Sequence, residues 1–270
     1  MSSLHDWWRP LGRSGLQVSP LGLGTVKLGR NQGVKYPVPF RIPDDREAAR
    51  LLDLARALGI NLLDTAPAYG NSEERLGRLL QGQREAWQIV TKVGEEFEGG
   101  QSRFDFSARH TRQSVERSLR RLRTDRLELV LVHSDGQDLD ILAHSAVYPT
   151  LSQLKQEGKI LAYGFSGKTV DGGLRALDDG DCAMVTLNLD GSQEQAVIER
   201  ARQLQRGILV KKALASGHAT QTGGDLLRRS FELVLGQPGV SSAIIGTISP
   251  QHLQENVALA ATLLNNKTGA

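Results

Sequence analysis

Four side chains capable of proton chemistry sit where short apolar runs end. Asp64 closes the run Ile60 to Asp64, and a turn carrying Pro67 and Gly70 presents Tyr69 five residues later. Lys92 closes Ile89 to Lys92, and His133 closes Leu127 to His133. These runs are too short for helices and read as buried strands. A phenol is a reluctant acid, with a pKa near 10, and an ammonium within reach lowers that value by favouring the phenolate. A carboxylate keeps such an ammonium charged where burial alone would neutralise it. An imidazole can hydrogen-bond a reacting oxygen and stabilise developing negative charge. The four groups are remote along the chain, so their cooperation requires an architecture that brings strand ends together.

The rest of the chain reads as that architecture. A hairpin over Trp8 to Gly24, punctuated by Gly12, Gly15, Pro20 and Gly22, leads into a strand at 21–24. Helices are expected at 46–58, 71–81, 107–122, 147–157, 169–178, 191–205, 223–236 and 250–265. They alternate with strands at 60–64, 87–92, 127–133, 159–165, 182–188, 207–211 and 240–246. Eight βα units are the number that closes a parallel barrel, whose chemistry lies at the carboxyl ends of its strands. The expected fold is α/β, a single (β/α)8 TIM barrel domain over residues 1–270 with an N-terminal β-hairpin. Such a hairpin can plug the amino-terminal mouth. The segments 27–44, 94–107 and 134–146 are then long loops at the carboxyl face, and Tyr36 and Phe40 are aromatics available to fold over a pocket.

Composition narrows the function classes. With 33 basic and 30 acidic residues the net charge is +3, and no basic run is interleaved with aromatics, which argues against nucleic acid as a partner. The single cysteine, Cys182, lies in an apolar setting that suggests a buried strand, and it precludes an intrachain disulfide. No stretch of about 18 apolar residues and no signal-peptide core is visible, so a cytoplasmic protein with no membrane partner is expected. Oligomeric state is not legible.

The stretch Leu62 to Gly77, Leu-Leu-Asp-Thr-Ala-Pro-Ala-Tyr-Gly-Asn-Ser-Glu-Glu-Arg-Leu-Gly, closely resembles the signature of the aldo-keto reductases. Thr91-Lys92, His133 and Gly164-Phe165-Ser166 follow in that family's order, and the resemblance runs from about Leu11 to Asn256. It implies a barrel that uses NAD(P)H to interconvert an aldehyde or ketone and an alcohol, with a small carbonyl compound as substrate. It also implies Tyr69 as the acid, assisted by Lys92, Asp64 and His133. The cofactor site implied by the resemblance comprises Gly24, Thr25, Asp64, Ser166, Asn188, Lys211, Leu214, Ser216, Gly217, Gly246, Thr247, Ser249, His252, Glu255 and Asn256. The helix starting near Pro250 would offer N–H donors and a positive dipole end to a phosphate.

Three positions depart from the family pattern around the nicotinamide. Gly167 stands where an Asn is usual, Met184 where a Gln is usual, and Lys211 where an aromatic ring is usual. The phosphate-side helix carries His252 and Gln254 instead of the Arg common among NADP-preferring members. The resemblance favours NADP(H) and leaves NAD(H) open. The departures also admit a nucleotide-sensing protein of low turnover. A barrel lyase or aldolase using Lys92 as a Schiff-base nucleophile explains neither Tyr69 nor the helix at 250. No metal site is expected.

Overall fold

The structure is a computed structural model describing residues 3–34, 36, 38–214 and 224–268. Strands β1 (Arg9–Pro10) and β2 (Gln17–Val18) form the expected antiparallel hairpin. Next come β3 (Leu21–Gly24), a one-turn α1 (Val26–Gly29), α2 (Asp45–Ala57), β4 (Leu62–Asp64) and α3 (Ser72–Leu79). After β5 (Gln88–Val93) lie β6 (Glu95–Glu98), β7 (Gln101–Phe104), α4 (Ala108–Leu122) and β8 (Leu127–His133). The sequence continues with α5 (Asp138–His144), α6 (Val147–Gln156), β9 (Ile160–Ser166), α7 (Val170–Asp179) and β10 (Cys182–Thr186). The last elements are α8 (Gln195–Leu204), β11 (Gly207–Lys211), α9 (Gly224–Gly236), β12 (Ser242–Ile245) and α10 (Pro250–Thr268).

The strands β3, β4, β5, β8, β9, β10, β11 and β12 pair in parallel and close into a barrel through β12 and β3. Two buried layers follow from strand alternation. Leu62, Val90, Leu129, Leu131, Met184 and Leu209 belong to an inner cluster, and the hairpin's Leu11, Leu16 and Val18 join it from below. Leu63, Ile89, Val130, Val132, Ala183, Val185 and Val210 belong to the larger layer under the helices. Cys182 is fully buried on β10, and burial pushes its thiol upward in pKa.

Local sequence sets the boundaries. Asp44 caps α2 in a reciprocal capping box with Glu47, and Gly59, at φ +84, supplies the left-handed backbone that follows its end. Ser107 and Thr169 accept from the N–H groups of His110 and Gly172 at the starts of α4 and α7. At Gly164 a Cβ would overlap the Cys182 carbonyl, so only glycine lets β9 approach β10.

Two of the three long connections contain structure that their composition concealed. The 94–107 loop is an antiparallel hairpin, β6 with β7, and the 134–146 loop contains α5. Strand β10 stops at Thr186, two residues short of the expected end, because Asn188 turns back to bridge Gly191. Among the described residues no helix is long and apolar enough to cross a membrane.

Candidate active site

Adjacent barrel strands bring the carboxylate and the ammonium together. The last residue of β4, Asp64, pairs through Oδ1 with Lys92 Nζ of β5 at 2.5 Å, and the ammonium also donates to the Thr65 carbonyl at 2.8 Å. The Lys92 and Asp64 side chains are 2% and 7% exposed, so the pair is held away from water. The turn carrying Tyr69 is clamped: its own N–H donates to Ala66 O, and Arg30 donates to Ala68 O at 3.0 Å. Lys92 Nζ lies 4.7 Å from the centre of the Tyr69 ring, which meets the His133 ring edge-on with centroids 6.4 Å apart.

The electrostatics differ from the simple expectation that Lys92 draws the phenol pKa down. Burial, then the charges of Asp64 and Glu95, push the Tyr69 phenol well above its usual value, with Arg30 opposing. The Lys92 charge is matched by Asp64 at close range, so the phenol sits beside an ion pair and not beside a free cation. Tyr69 is therefore protonated at neutral pH.

His133 has a neighbour that the sequence reading did not single out. Glu95, the first residue of β6, places Oε2 2.6 Å from His133 Nδ1. Ser102 of β7 donates to Glu95 Oε1 at 2.6 Å, and the Arg30 guanidinium stacks over the Phe97 ring. Burial pushes Glu95 up, but His133, Ser102 and Arg30 together hold it at about 2. For His133, burial lowers the pKa, Glu95 raises it and Lys92 lowers it, with a net downward shift. The legible signal was the turn pair Gly99-Gly100 between two short segments that each carry a phenylalanine, which is hairpin chemistry.

Asp64, Tyr69, Lys92 and His133 line a cavity of about 630 Å³. Gly24, Ser166, Lys211, Leu214, Gly246, Thr247, His252 and Asn256 also line it, as the sequence led one to expect. Tyr36 lines it too, stacked edge-on with Phe40 and with Lys27 Nζ 4.0 Å from its ring centre. Lys27, Lys168, Lys212, Thr186 and Ile244 are lining residues that the sequence did not suggest.

Other expected cofactor residues stand off the cavity wall. Thr25 is fully buried, donating to Asp64 O and accepting from Ser72, which makes it a brace between turns. Asn188 donates to Lys212 O, Ser249 accepts from the His252 N–H at the start of α10, and Glu255 accepts from Gln251 on the exposed side. Ser216 and Gly217 lie outside the described residues.

Two of the departures from the family pattern, Gly167 and Lys211, meet at one place. The Lys211 ammonium donates to Ser166 Oγ at 3.0 Å and to Gly167 O at 2.5 Å. Burial lowers its pKa to about 8. A side chain at residue 167 would bring its Cβ to 2.9 Å from Asp138 Oδ2. That oxygen already accepts from the N–H groups of Lys168 and Thr169, so glycine is enforced by the α5 carboxylate.

The cavity suits a dinucleotide. Among the described residues its wall carries Lys27, Lys92, Lys168, Lys211 and Lys212 against the carboxylate of Asp64, a surplus of cations that matches polyphosphate charge. Glycines at 24 and 246 keep its wall low, and at 246 a Cβ would press against Tyr36 Oη at 2.8 Å. Among the described residues no cluster of three or more His, Cys, Asp or Glu could hold a metal ion.

A closed parallel barrel with proton-active side chains near its strand ends and a lysine-lined cavity is the build of a nucleotide-dependent barrel enzyme. The Aldo/keto reductase family model matches residues 20–226, and the chain belongs to that family. A solved Pseudomonas aeruginosa structure assigned to the aldo-keto reductases is 67% identical, covers 97% of this chain and 98% of its own, and superposes with a TM-score of 0.90. L-galactose dehydrogenase of Arabidopsis thaliana is 29% identical over 94% of this chain and 88% of its own length. NADH-specific methylglyoxal reductase of Escherichia coli is 29% identical over 79% of this chain and 69% of its own. The protein is thus an oxidoreductase of the carbonyl–alcohol couple, in a family that works with nicotinamide cofactors.

Proposed function

We propose that this chain is an NADP(H)-dependent reductase that interconverts an aldehyde or ketone and its alcohol, with Tyr69 as the general acid. The observation that carries the reading is the joining of Asp64, Lys92, Tyr69 and His133 on the wall of a lysine-lined cavity. A bound nicotinamide supplies or accepts the hydride, leaving the proton on oxygen to the protein. The raised phenol pKa keeps Tyr69 in its donor form for reduction, and Lys92, fixed by Asp64 and Thr65 O, stabilises the phenolate as the proton leaves. His133 orients the substrate oxygen. The aldo-keto reductase resemblance favours NADP(H) over NAD(H), and the excess of lysines over carboxylates on the cavity wall suits the polyphosphate of either. The NADH-specific Escherichia coli relative marks the alternative.

The test pairs a fluorescence titration of NADPH and NADH with the loss of reduced-cofactor absorbance over a panel of small aldehydes, ketones and sugars. Tyr69→Phe is expected to keep NADPH affinity and lose at least a hundredfold in turnover; unchanged turnover on several carbonyls refutes the assignment. The Lys211 contacts with Ser166 and Gly167 favour a second reading, a nucleotide sensor of low turnover. Tight NADPH binding without oxidation on any substrate would select it.

A further inference from the structure

Two of the lysines on the cavity wall are held in opposite ways. Lys92 is matched at 2.5 Å by the carboxylate of Asp64. Lys211, the last residue of β11, donates to two neutral oxygens, Ser166 Oγ at 3.0 Å and the Gly167 carbonyl at 2.5 Å, and among the described residues it makes no ion pair. The nearby carboxylates are engaged elsewhere. Asp138 accepts from the Ser134 and Thr169 hydroxyls and from the N–H groups of Lys168 and Thr169, and Glu194 accepts from the Thr186 N–H. The Lys211 charge therefore enters the cavity largely uncancelled.

Strand register sets this charge close to the chemistry. Ser166 of β9 is the partner of His133 on β8, His133 feels the charge of Lys211, and Lys211 feels that of Lys92. A ring that passes hydride to a carbon whose oxygen is held by Tyr69 and His133 must lie against that carbon, within the cavity that Lys211 also lines. The two redox forms of a nicotinamide cofactor share every phosphate and differ in one charge: the oxidised ring is a pyridinium cation and the reduced ring is neutral. An aromatic side chain at residue 211 would offer such a cation the negative face of its ring. An ammonium repels it.

We infer that Lys211 discriminates between the redox forms of the cofactor: its unmatched ammonium disfavours the oxidised ring, so the cavity binds NADPH in preference to NADP+. The inference rests on the nicotinamide-dependent reductase reading and adds to it which form the free protein selects. In a mixed pool the cavity fills with the reduced cofactor, which readies the protein for carbonyl reduction. The charged groups acting on Lys211 are Glu194, the N-cap residue of α8, Lys212 beside it in the chain, Asp138 of α5 and Lys92 of β5. Burial outweighs them and brings its titration to about 8, so the discrimination fades as pH rises beyond that value. His133, shifted down, and Tyr69, shifted well above 10, keep their charge states between pH 7 and pH 10.

The test is the ratio of the NADP+ and NADPH dissociation constants, from NADPH fluorescence titration and its competition by NADP+, for wild type, Lys211→Met and Lys211→Arg from pH 7 to pH 10. Phosphate titration is common to both ligands and cancels in the ratio. Unit charges several ångströms apart at an effective dielectric of about 20 change a binding constant by about tenfold or more. The wild-type preference for NADPH at pH 7 is accordingly expected to fall about tenfold in Lys211→Met, and the gap between the two proteins to close toward pH 10. Lys211→Arg, charged throughout that range, is expected to keep the preference at pH 10. A wild-type ratio within twofold of that of Lys211→Met at pH 7 overturns the inference and leaves the reductase reading standing. If Lys211→Met does not fold, the wild-type series decides: a preference that declines with pH supports the inference and a constant one overturns it. If the wild type binds neither cofactor, the nicotinamide reading itself fails and the discrimination with it.

Discussion

Replacing Lys92 with methionine isolates the value of the Asp64–Lys92 pair. Methionine is one atom shorter than lysine but keeps an unbranched apolar stem, so packing is largely preserved and the change is mainly electrostatic. The wild-type ammonium is 2% exposed, lies 2.5 Å from Asp64 Oδ1 and also satisfies Thr65 O at 2.8 Å. Its removal leaves a buried carboxylate without a cation and a carbonyl without a donor. Breaking a buried pair from one side costs about 3–5 kcal/mol, which for a domain of this size lowers Tm by about 6–20 °C. The double variant Lys92→Met/Asp64→Asn removes both charges and is expected to recover at least half of that loss, a coupling of about 2 kcal/mol. Thermal and urea unfolding of the two single variants, the double variant and the wild type close the cycle. A cost for Lys92→Met below about 1 kcal/mol, the value of an exposed pair, refutes the buried-pair argument, as does simple additivity of the two single changes.

Lys211 should make NADPH affinity fall as pH rises through about 8, because the ammonium is lost there; Lys211→Met should flatten that dependence in a fluorescence titration from pH 6 to 9, and an unchanged slope rules the lysine out as a cofactor contact. Glu95 has a folded pKa of about 2, below its ordinary value near 4.5, so its ionisation contributes stability that is present above about pH 4.5 and is lost as pH falls through about 2. The stability gap between wild type and Glu95→Gln in urea melts should accordingly shrink between pH 5 and pH 2, and a constant gap contradicts the assignment. Gly164→Ala should destabilise by at least about 1–3 kcal/mol, because the new methyl group forces β9 away from the Cys182 carbonyl; a Tm within a degree of wild type would show that the strands separate freely.

The period of the apolar residues and the placement of glycine, proline and capping side chains made the barrel legible, because each βα unit is specified by neighbours along the chain. Asp64, Lys92 and His133 were visible because each lies at or next to the end of a strand, with Tyr69 in the turn after β4, and parallel closure carries strand ends to one mouth. Most expected ends differed by a residue or two, but after the turn in which Asn188 bridges Gly191, α8 begins at Gln195, four residues beyond its expected start, and α10 runs three residues past its expected end. The loops were less readable. Polar composition at 94–107 concealed a hairpin, and with it Glu95, whose meaning depends on His133, 38 positions later in the sequence.

The amino-acid order by itself determined the repeating units and their number, since hydrophobic periodicity and turn chemistry act over a few residues, and the resemblance to the aldo-keto reductases singled out the four proton-active groups. Tertiary structure alone decided what those groups experience. It buried the Tyr69 phenol near the carboxylates of Asp64 and Glu95 so that its pKa rises, put Glu95 against His133, and turned Lys211 onto Ser166 and Gly167. Distance and desolvation govern these effects, and both are fixed only when segments far apart in the chain close around the same buried space.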